Sequence, residues 1–441
     1  MRHRLTAAPR EELLILTGQQ RPPWGGADVL AAAIWFLGIL FAYNIIDESR
    51  KLLEMFVALC WIGPYAALRV CVRLRAPFAV RAVGRPLMFF AVFLIACLPG
   101  SAYSRDSSLA LGYLGATALG GATCFLVGLL LGGRLKRALA LYAAVATIAI
   151  LWIFANYYTG GRVGIFRNLN SVGLILLGLF AFSFLIQHPL LRVFVAVTAV
   201  GLLALTESRS ALLGSVACAA VIALRAWQRW TQVRRIAALA VLSATGVLVV
   251  ADASKVYNVA SSLMKLDDPW RGIASPRGSI EGRIQAWWET VQVWLEHPWL
   301  GVGYRTHETH IISESSSHNG YLAILAETGV VGGTALLVFL VSAVRRLRAV
   351  ARQGSELAWV GLALVAGHGV VGVFERYLIN LGNPTSVGVV LFLLMPWCES
   401  RPMVSHRRTR VPHRYGFCGG GSWRIGSASP VQARVFTVEE P

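Results

Sequence analysis

Three residues far apart in the chain, Arg209, Arg283 and His318, are of types that together could handle a doubly charged substrate. Arginine keeps its charge at any physiological pH, and its planar fork matches phosphate oxygens. A pair of them suits a pyrophosphate-bearing lipid, because two forks can hold two phosphates and stabilise charge on a departing diphosphate. At an effective dielectric near 20, each such contact at about 4 Å contributes about 4 kcal/mol before desolvation is subtracted. Histidine, with an ordinary pKa of about 6.5, can take a proton from an attacking hydroxyl. Each residue also has a structural alternative. Arg209 could snorkel at the membrane interface, Arg283 could solvate a helix, and His318 could cap one. By spacing alone the set reads as a polar-substrate site at one edge of a membrane.

The elements that must position these residues are membrane helices. With 56% hydrophobic and only 14% charged residues, and a mean hydropathy of +0.59, the chain is far from the composition of a soluble domain, where about a quarter of residues are charged. Apolar runs of the length needed to cross a bilayer fall near 28–46, 52–72, 86–103, 108–131, 138–158, 171–187, 190–206, 210–226, 236–252, 318–342, 357–377 and 385–399. A span takes about 20 residues. The expected fold class is therefore an all-α polytopic integral membrane protein with about 12 transmembrane helices.

Net charge +19 would, in a soluble protein, suggest a nucleic-acid partner, but its distribution argues otherwise. With both termini cytoplasmic and alternating spans, inner segments hold 28 of the 41 Lys and Arg, and outer segments hold 15 of the 22 Asp and Glu. Positive charge is retained on the cytoplasmic side. The basic residues then lie beside anionic headgroups, and no nucleic-acid partner is expected. Residues 1–27 form a cytoplasmic segment without a cleavable signal, residues 28–252 carry spans one to nine, and 318–400 carry spans ten to twelve. The tail 401–441 is basic and Gly-rich, and is expected to be disordered.

Between them, residues 253–317 form one large loop on the periplasmic or outer face, longer than a loop without a function normally is. Within it Ser279 can cap a helix in which Ile280, Ile284, Trp287, Trp288, Val291, Trp294 and Leu295 recur at helical spacing until Pro298. Such a helix lies on or near the membrane with its tryptophans at the headgroup level, where they either pack the loop onto the bundle or line a groove for sugar rings or a lipid tail. The seven cysteines fall in spans or the inner tail, so no disulfide framework is implied.

The segment Ser317-His318-Asn319-Gly320-Tyr321-Leu322, followed by Glu327-Thr328-Gly329-Val330-Val331-Gly332, resembles the signature of the O-antigen ligase and polysaccharide polymerase superfamily. Upstream, Gly282-Arg283 with Trp287 and then His297-Pro298-Trp299-Leu300-Gly301-Val302-Gly303 is similar to a second block of that family. Ser208-Arg209-Ser210-Ala211 is similar to a third, and the three span roughly residues 160–345. The resemblance implies transfer of a glycan from an undecaprenyl-diphosphate carrier to an acceptor hydroxyl, at the periplasmic face of the bacterial inner membrane. It implies no nucleotide sugar, no required metal and no other cofactor. Arg209 and Arg283 would contact the diphosphate, His318 would activate the acceptor, and Asn319 would be a further substrate contact. Gly164-Ile165-Phe166-Arg167-Asn168-Leu169-Asn170 resembles a turn of the family but departs from it at Arg167 and Leu169; Arg162, Arg167 and Asn170 are weaker candidates there. Partners would be the lipid-linked donor, a glycan or lipid acceptor, the bilayer and other polysaccharide assembly proteins. Polymerisation of O-antigen or exopolysaccharide repeats is the favoured expectation, and ligation to lipid A-core the alternative.

Other polar residues carry weaker signals. His307-Glu308-Thr309-His310 lacks the histidine spacing of the zinc-protease helix and reads as a solvated loop. Glu327 lies within a span, where a carboxylate needs a partner or a function, and an arginine or backbone partner is expected. Gly329, Gly332 and Gly333 read as close-packing positions, and Glu375-Arg376 as a local ion pair in preference to a part of the acceptor route. A transporter, the rival class, predicts repeats and polar breaks near the bilayer midplane; no repeat is visible, and the charges gather at the outer edge.

Overall fold

A computed structural model describes residues 25–45, 62–73, 85–159, 162–163, 169–206, 208–237, 239, 243, 280–312, 316–376, 378–379, 381 and 384–395. Helices dominate: α1 (Gly25–Ile45), α2 (Ile62–Arg73), α3 (Arg85–Ala102), α4 (Ser107–Leu131), α5 (Leu135–Tyr157), α6 (Leu169–Ser183), α7 (Pro189–Leu205), α8 (Arg209–Arg229), α9 (Ile280–Glu296), α10 (Gly320–Arg352), α11 (Glu356–Phe374) and α12 (Pro384–Leu394). Between α5 and α6, β1 (Tyr158–Thr159) and β2 (Arg162–Val163) pair antiparallel, with Thr159 opposite Arg162.

Among the described residues six helices, α3, α4, α5, α8, α10 and α11, are long and apolar enough to cross a membrane. Eleven of the twelve apolar runs contain a helix, and the run at 236–252 lies almost wholly outside the described residues. The expectation of about 12 spanning helices is thus matched at spanning length by six. The physical reason shows in α12, whose eleven residues are all buried. A helix that is apolar all round can be enclosed by protein as readily as by lipid, so an apolar run reports burial before it reports a crossing. By contrast α7 leaves Leu190, Val193 and Val197 exposed, as a lipid-facing helix would. The basic tail and residues 253–279 and 313–315 of the long loop lie outside the described residues.

The bundle interior is knit by aromatic side chains. Trp35, Phe36, Tyr142, Phe182 and Phe392 follow one another with ring centroids 5.0 to 6.4 Å apart, joining α1, α5, α6 and α12. Close helix crossings use small residues. A Cβ on Gly367 of α11 would stand 2.6 Å from the carbonyl oxygen of Gly214 in α8. At the end of the bundle where α11 begins, Glu356 pairs with Lys136 at 2.6 Å and with Arg225 at 3.2 Å.

Helix α10 is broken. Gly329 has φ 61° and ψ −168°, a conformation that interrupts the hydrogen-bond ladder inside this 33-residue element. The freed groups are satisfied by the segment that follows α9. Val302 and Gly303 donate their N–H groups to the carbonyls of Ala326 and Glu327 at 2.9 and 3.0 Å, and Val330 and Val331 donate theirs to Pro298 and Trp299 at 2.8 and 3.2 Å. Non-helical backbone at such depth is tolerable only when buried in protein with every polar group matched. Gly329 therefore makes a break, which corrects its reading as a simple packing position. The fit allows no side chain. A Cβ on Gly329 would lie 2.2 Å from the Trp299 carbonyl, and one on Gly301, itself at φ 69°, 2.3 Å from the Glu327 carbonyl carbon.

Gly329→Ala and Gly301→Ala should each lower the melting temperature of the detergent-solubilised protein sharply, costing at least about 2 kcal/mol for a forced φ plus backbone overlap. Gly201→Ala, on a helix position where a Cβ meets nothing within 4 Å, should be neutral or stabilising by up to about 1 kcal/mol. Equal melting of Gly329→Ala and wild type would remove the account of the break.

Candidate functional site

At the end of the bundle where α6, α8 and α10 begin, four chain segments meet around one carboxylate. Glu375 follows the last residue of α11, in extended conformation, and is only 5% exposed. The hydroxyl of Ser210, next to Arg209 in the first turn of α8, donates a hydrogen bond to it, and the charge of Arg283 on α9 acts on it. Its backbone carbonyl lies 3.1 Å from where a Cβ on Gly320, the first residue of α10, would stand. The Tyr321 hydroxyl, one residue on, donates to the Gly369 carbonyl in α11 at 2.8 Å.

Small residues make this convergence possible. A Cβ on Gly173 in α6 would stand 2.5 Å from the Ser208 Cβ and 3.1 Å from that of Ala211, so α6 meets the Ser-Arg-Ser-Ala turn nearly backbone to backbone. Asn170, one turn earlier on α6, is brought to the same end and is partly buried. Arg209 opens α8 and is partly buried. Arg283 is partly buried on α9, with its Nε buried and lacking a hydrogen-bond partner among the described residues. Helix α9 buries Ala286, Thr290 and Val293, and leaves Ile284, Trp288 and Leu295 exposed on another face. One face of this helix packs on the bundle, and the other is an apolar stripe.

His318 sits immediately before α10 with φ 48°, one of two non-glycine residues at positive φ among the described residues; the other is Arg305. Histidine tolerates this region better than bulky residues, but it still signals a backbone held by its surroundings. The His318 N–H donates to the Ser316 hydroxyl at 3.4 Å, and the buried Ser317 hydroxyl donates to the Asn319 carbonyl at 3.1 Å. Asn319, not His318, caps α10, its side-chain oxygen accepting from Tyr321 and Leu322 N–H at 3.0 Å each. That oxygen is committed to the helix. Arg162 lies in β2, and Arg167 lies outside the described residues.

Two readings of polar residues are corrected here. His307 is 2% exposed and not solvated; its Nδ1 stands 2.5 Å from a carboxylate oxygen of Glu327. The partner of the membrane carboxylate is thus a histidine from the loop instead of an arginine, because the plug that fills the α10 break carries residues 304–307 down beside Glu327. Glu375 and Arg376 do not pair with each other. Extended backbone at Glu375 turns it inward toward Arg283, while Arg376 pairs with Glu308. The His307–Glu327 and Arg376–Glu308 pairs line one narrow cleft. Among the described residues no group of three or more His, Cys, Asp or Glu could hold a metal ion. His307 and Glu375 carry only slight signals in sequence, a histidine in a polar loop and a carboxylate at the edge of an apolar run, and neither stands among the expected site residues.

Glu375 lies just beyond the membrane-spanning part of α11. Burial pushes its carboxyl up from the ordinary 4.5 to about 7, against the opposing influence of the Arg283 charge and the Ser210 hydrogen bond. A carboxyl that holds its proton more tightly when folded is most favourable below pH 4.5, and its contribution is lost as pH rises from about 4.5 to about 7. Relative to Glu375→Gln, the wild type should lose stability over that interval, by on the order of 3 kcal/mol at most, read as a falling melting temperature. A wild-type-minus-Gln difference independent of pH would contradict this burial.

The family model described as O-antigen ligase matches residues 194–338, from within α7 through the first half of α10. None of the curated proteins matches the chain. The matched segment contains Arg209, Arg283, the plug, the break at Gly329 and His318, and it supports an activity of the ligase or polymerase type. Residues 194–338 are thus similar to the O-antigen ligase family, in a chain whose described residues include six helices long and apolar enough to cross a membrane.

Proposed function

We propose that the protein transfers a glycan from an undecaprenyl-diphosphate carrier to an acceptor hydroxyl at the periplasmic face of the bacterial inner membrane, polymerising O-antigen or exopolysaccharide repeat units. The observation that supports this most is the meeting of the α8 start beside Arg209, Arg283 on α9, and the α10 start beside His318 around Glu375. Two fixed cations and an imidazole at one water-accessible end of an apolar bundle fit a lipid carrier, whose chain lies in the bilayer while its diphosphate stays at the boundary.

In this reading the acceptor oxygen attacks the anomeric carbon, and the bond from that carbon to the phosphate oxygen breaks. Undecaprenyl diphosphate leaves with the electron pair, its charge taken up by the Arg209 and Arg283 forks. The hydroxyl proton passes to His318. Direct displacement inverts the anomeric centre. Glu375 acts on Arg283 by competing for its charge: neutral, it leaves the guanidinium for phosphate; ionised, it draws the guanidinium back. No metal is required, because the two guanidinium groups supply the positive charge.

Ligation to lipid A-core is a second reading, favoured by the description of the matching family model. Both share the donor chemistry and differ in the acceptor. Purified protein given a defined undecaprenyl-diphosphate repeat unit should yield longer lipid-linked chains; product only on addition of lipid A-core would favour ligation.

Arg209→Lys and Arg283→Lys should each lower kcat/KM for the donor by about 10–100-fold, since a point charge replaces a bidentate fork. His318→Ala should lower kcat by about 10²–10⁴-fold. Product should still form in excess EDTA. Near-normal turnover by both lysine variants would sink the diphosphate clamp.

A further inference from the structure

A second group of cations lies at the other end of the bundle from Glu375, where α7 and α11 begin and α8 ends. Near the end of α8, Arg225 points its Nη2 at a carboxylate oxygen of Glu356, 3.2 Å away, and the charges of Arg229 and Arg192 act on it. Arg192, in the first turn of α7, donates from Nε and Nη2 to one carbonyl, that of Ile186, at 2.8 and 2.7 Å. Two bonds to one acceptor fix the plane of its guanidinium. Glu356 is shared, because Lys136 at the start of α5 also donates to it at 2.6 Å. Within this group Arg192, Arg225, Arg229 and Lys136 face a single negative charge.

Like charges gathered in this way repel, and cations that only mark one side of a membrane need not be gathered at all. One of them also has an unmet hydrogen-bonding group. The Nε of Arg225 is buried and has no partner among the described residues. A buried charged donor is costly to leave unmatched, so an anion is the group that completes the cluster. Phosphate oxygens fit, since guanidinium forks match their geometry. The surroundings indicate which kind of phosphate. Leu190 and Val193 flank Arg192, Leu224 adjoins Arg225, and all three are exposed, as is Val197 one turn further along α7. Trp230, at the end of α8, is exposed too and has the amphipathic ring favoured at a membrane boundary. Exposed apolar surface leading away from a cationic end suits a phosphate that carries acyl chains, and offers nothing to a soluble one.

From these observations we propose that Arg192, Arg225 and Arg229 bind the headgroup phosphate of one anionic phospholipid, whose acyl chains lie along Val193, Val197 and Leu224. Arg225 supplies the fixed donor, held in place by Glu356. Arg192 presents a guanidinium already oriented by the Ile186 carbonyl, and Arg229, which is exposed, adds charge at the mouth. Basic pockets between membrane helices retain anionic headgroups through this combination of charge and hydrogen bonding. The site is independent of the glycosyl-transfer chemistry at the other end of the bundle.

The test titrates full-length protein, delipidated in dodecyl maltoside, with dioleoylphosphatidylglycerol, dioleoylphosphatidylcholine or inorganic phosphate, and reads the saturable rise in melting temperature. Phosphatidylglycerol should stabilise the wild type, and the other two should not at the same concentration. Arg229→Gln should raise the half-saturating phosphatidylglycerol concentration about fivefold. Arg348→Gln, which removes an exposed cation from α10 at the same end but outside the group, should leave it unchanged. Equal weakening by the two variants would show diffuse attraction and overturn the site. Stabilisation by inorganic phosphate to the same extent would overturn the lipid assignment, as would an equal response to phosphatidylcholine. If Arg229→Gln does not fold, Arg192→Gln takes its place under the same criteria, and an unchanged half-saturating concentration in the folded variant overturns the proposal.

Discussion

Four backbone hydrogen bonds across the break in α10 hold the rest of the site in place. Inside an apolar bundle an interrupted helix leaves carbonyl and amide groups that water cannot reach, and the loop segment 298–303 is the only described backbone that matches them. Because the same loop leads from α9 into the turn containing His307, matching the break also fixes how α9 lies and where His307 points. Arg283 and the Glu327–His307 pair are thus positioned by one constraint, although neither takes part in it directly.

The two glycines at its centre show how narrow the solution is. Gly301 and Gly329 each approach the other segment's carbonyls at distances no Cβ could occupy. The Glu-x-Gly and Gly-x-Gly patterns are therefore first a piece of backbone carpentry and only then part of a polar site. The plugged break brings the segment that follows α9 beside the middle of α10 without leaving its backbone unpaired.

Around that frame, charge is arranged in two ways. In the cleft, carboxylates, guanidinium groups and an imidazole are paired within the protein. At the α8 start, Glu375 is held in a poorly solvated place where its proton is retained to higher pH than usual, close to the Arg283 charge. Burying such groups is unfavourable unless each is matched, and the matching separates a region where positive charge is only partly offset from one that is balanced.

Much of this was legible in the residues themselves. Composition and apolar run length determined an all-helical membrane bundle, because twenty apolar residues have few other stable states. The residue types Arg209, Arg283 and His318 raise the expectation of an anionic substrate, because side-chain chemistry does not depend on fold. The periodicity of 280–295 marked α9, and Pro298 its end. What the one-dimensional record could not carry was which apolar runs face protein and which face lipid; α12 is enclosed, whereas α7 is exposed. Nor could it show that Gly329 breaks a helix, that His307 pairs with Glu327, or that Glu375 turns away from Arg376. Those outcomes depend on backbone groups and charges from distant segments satisfying one another, and only the folded chain, by bringing residues 298–307 to the gap at 326–331, decides which of them meet.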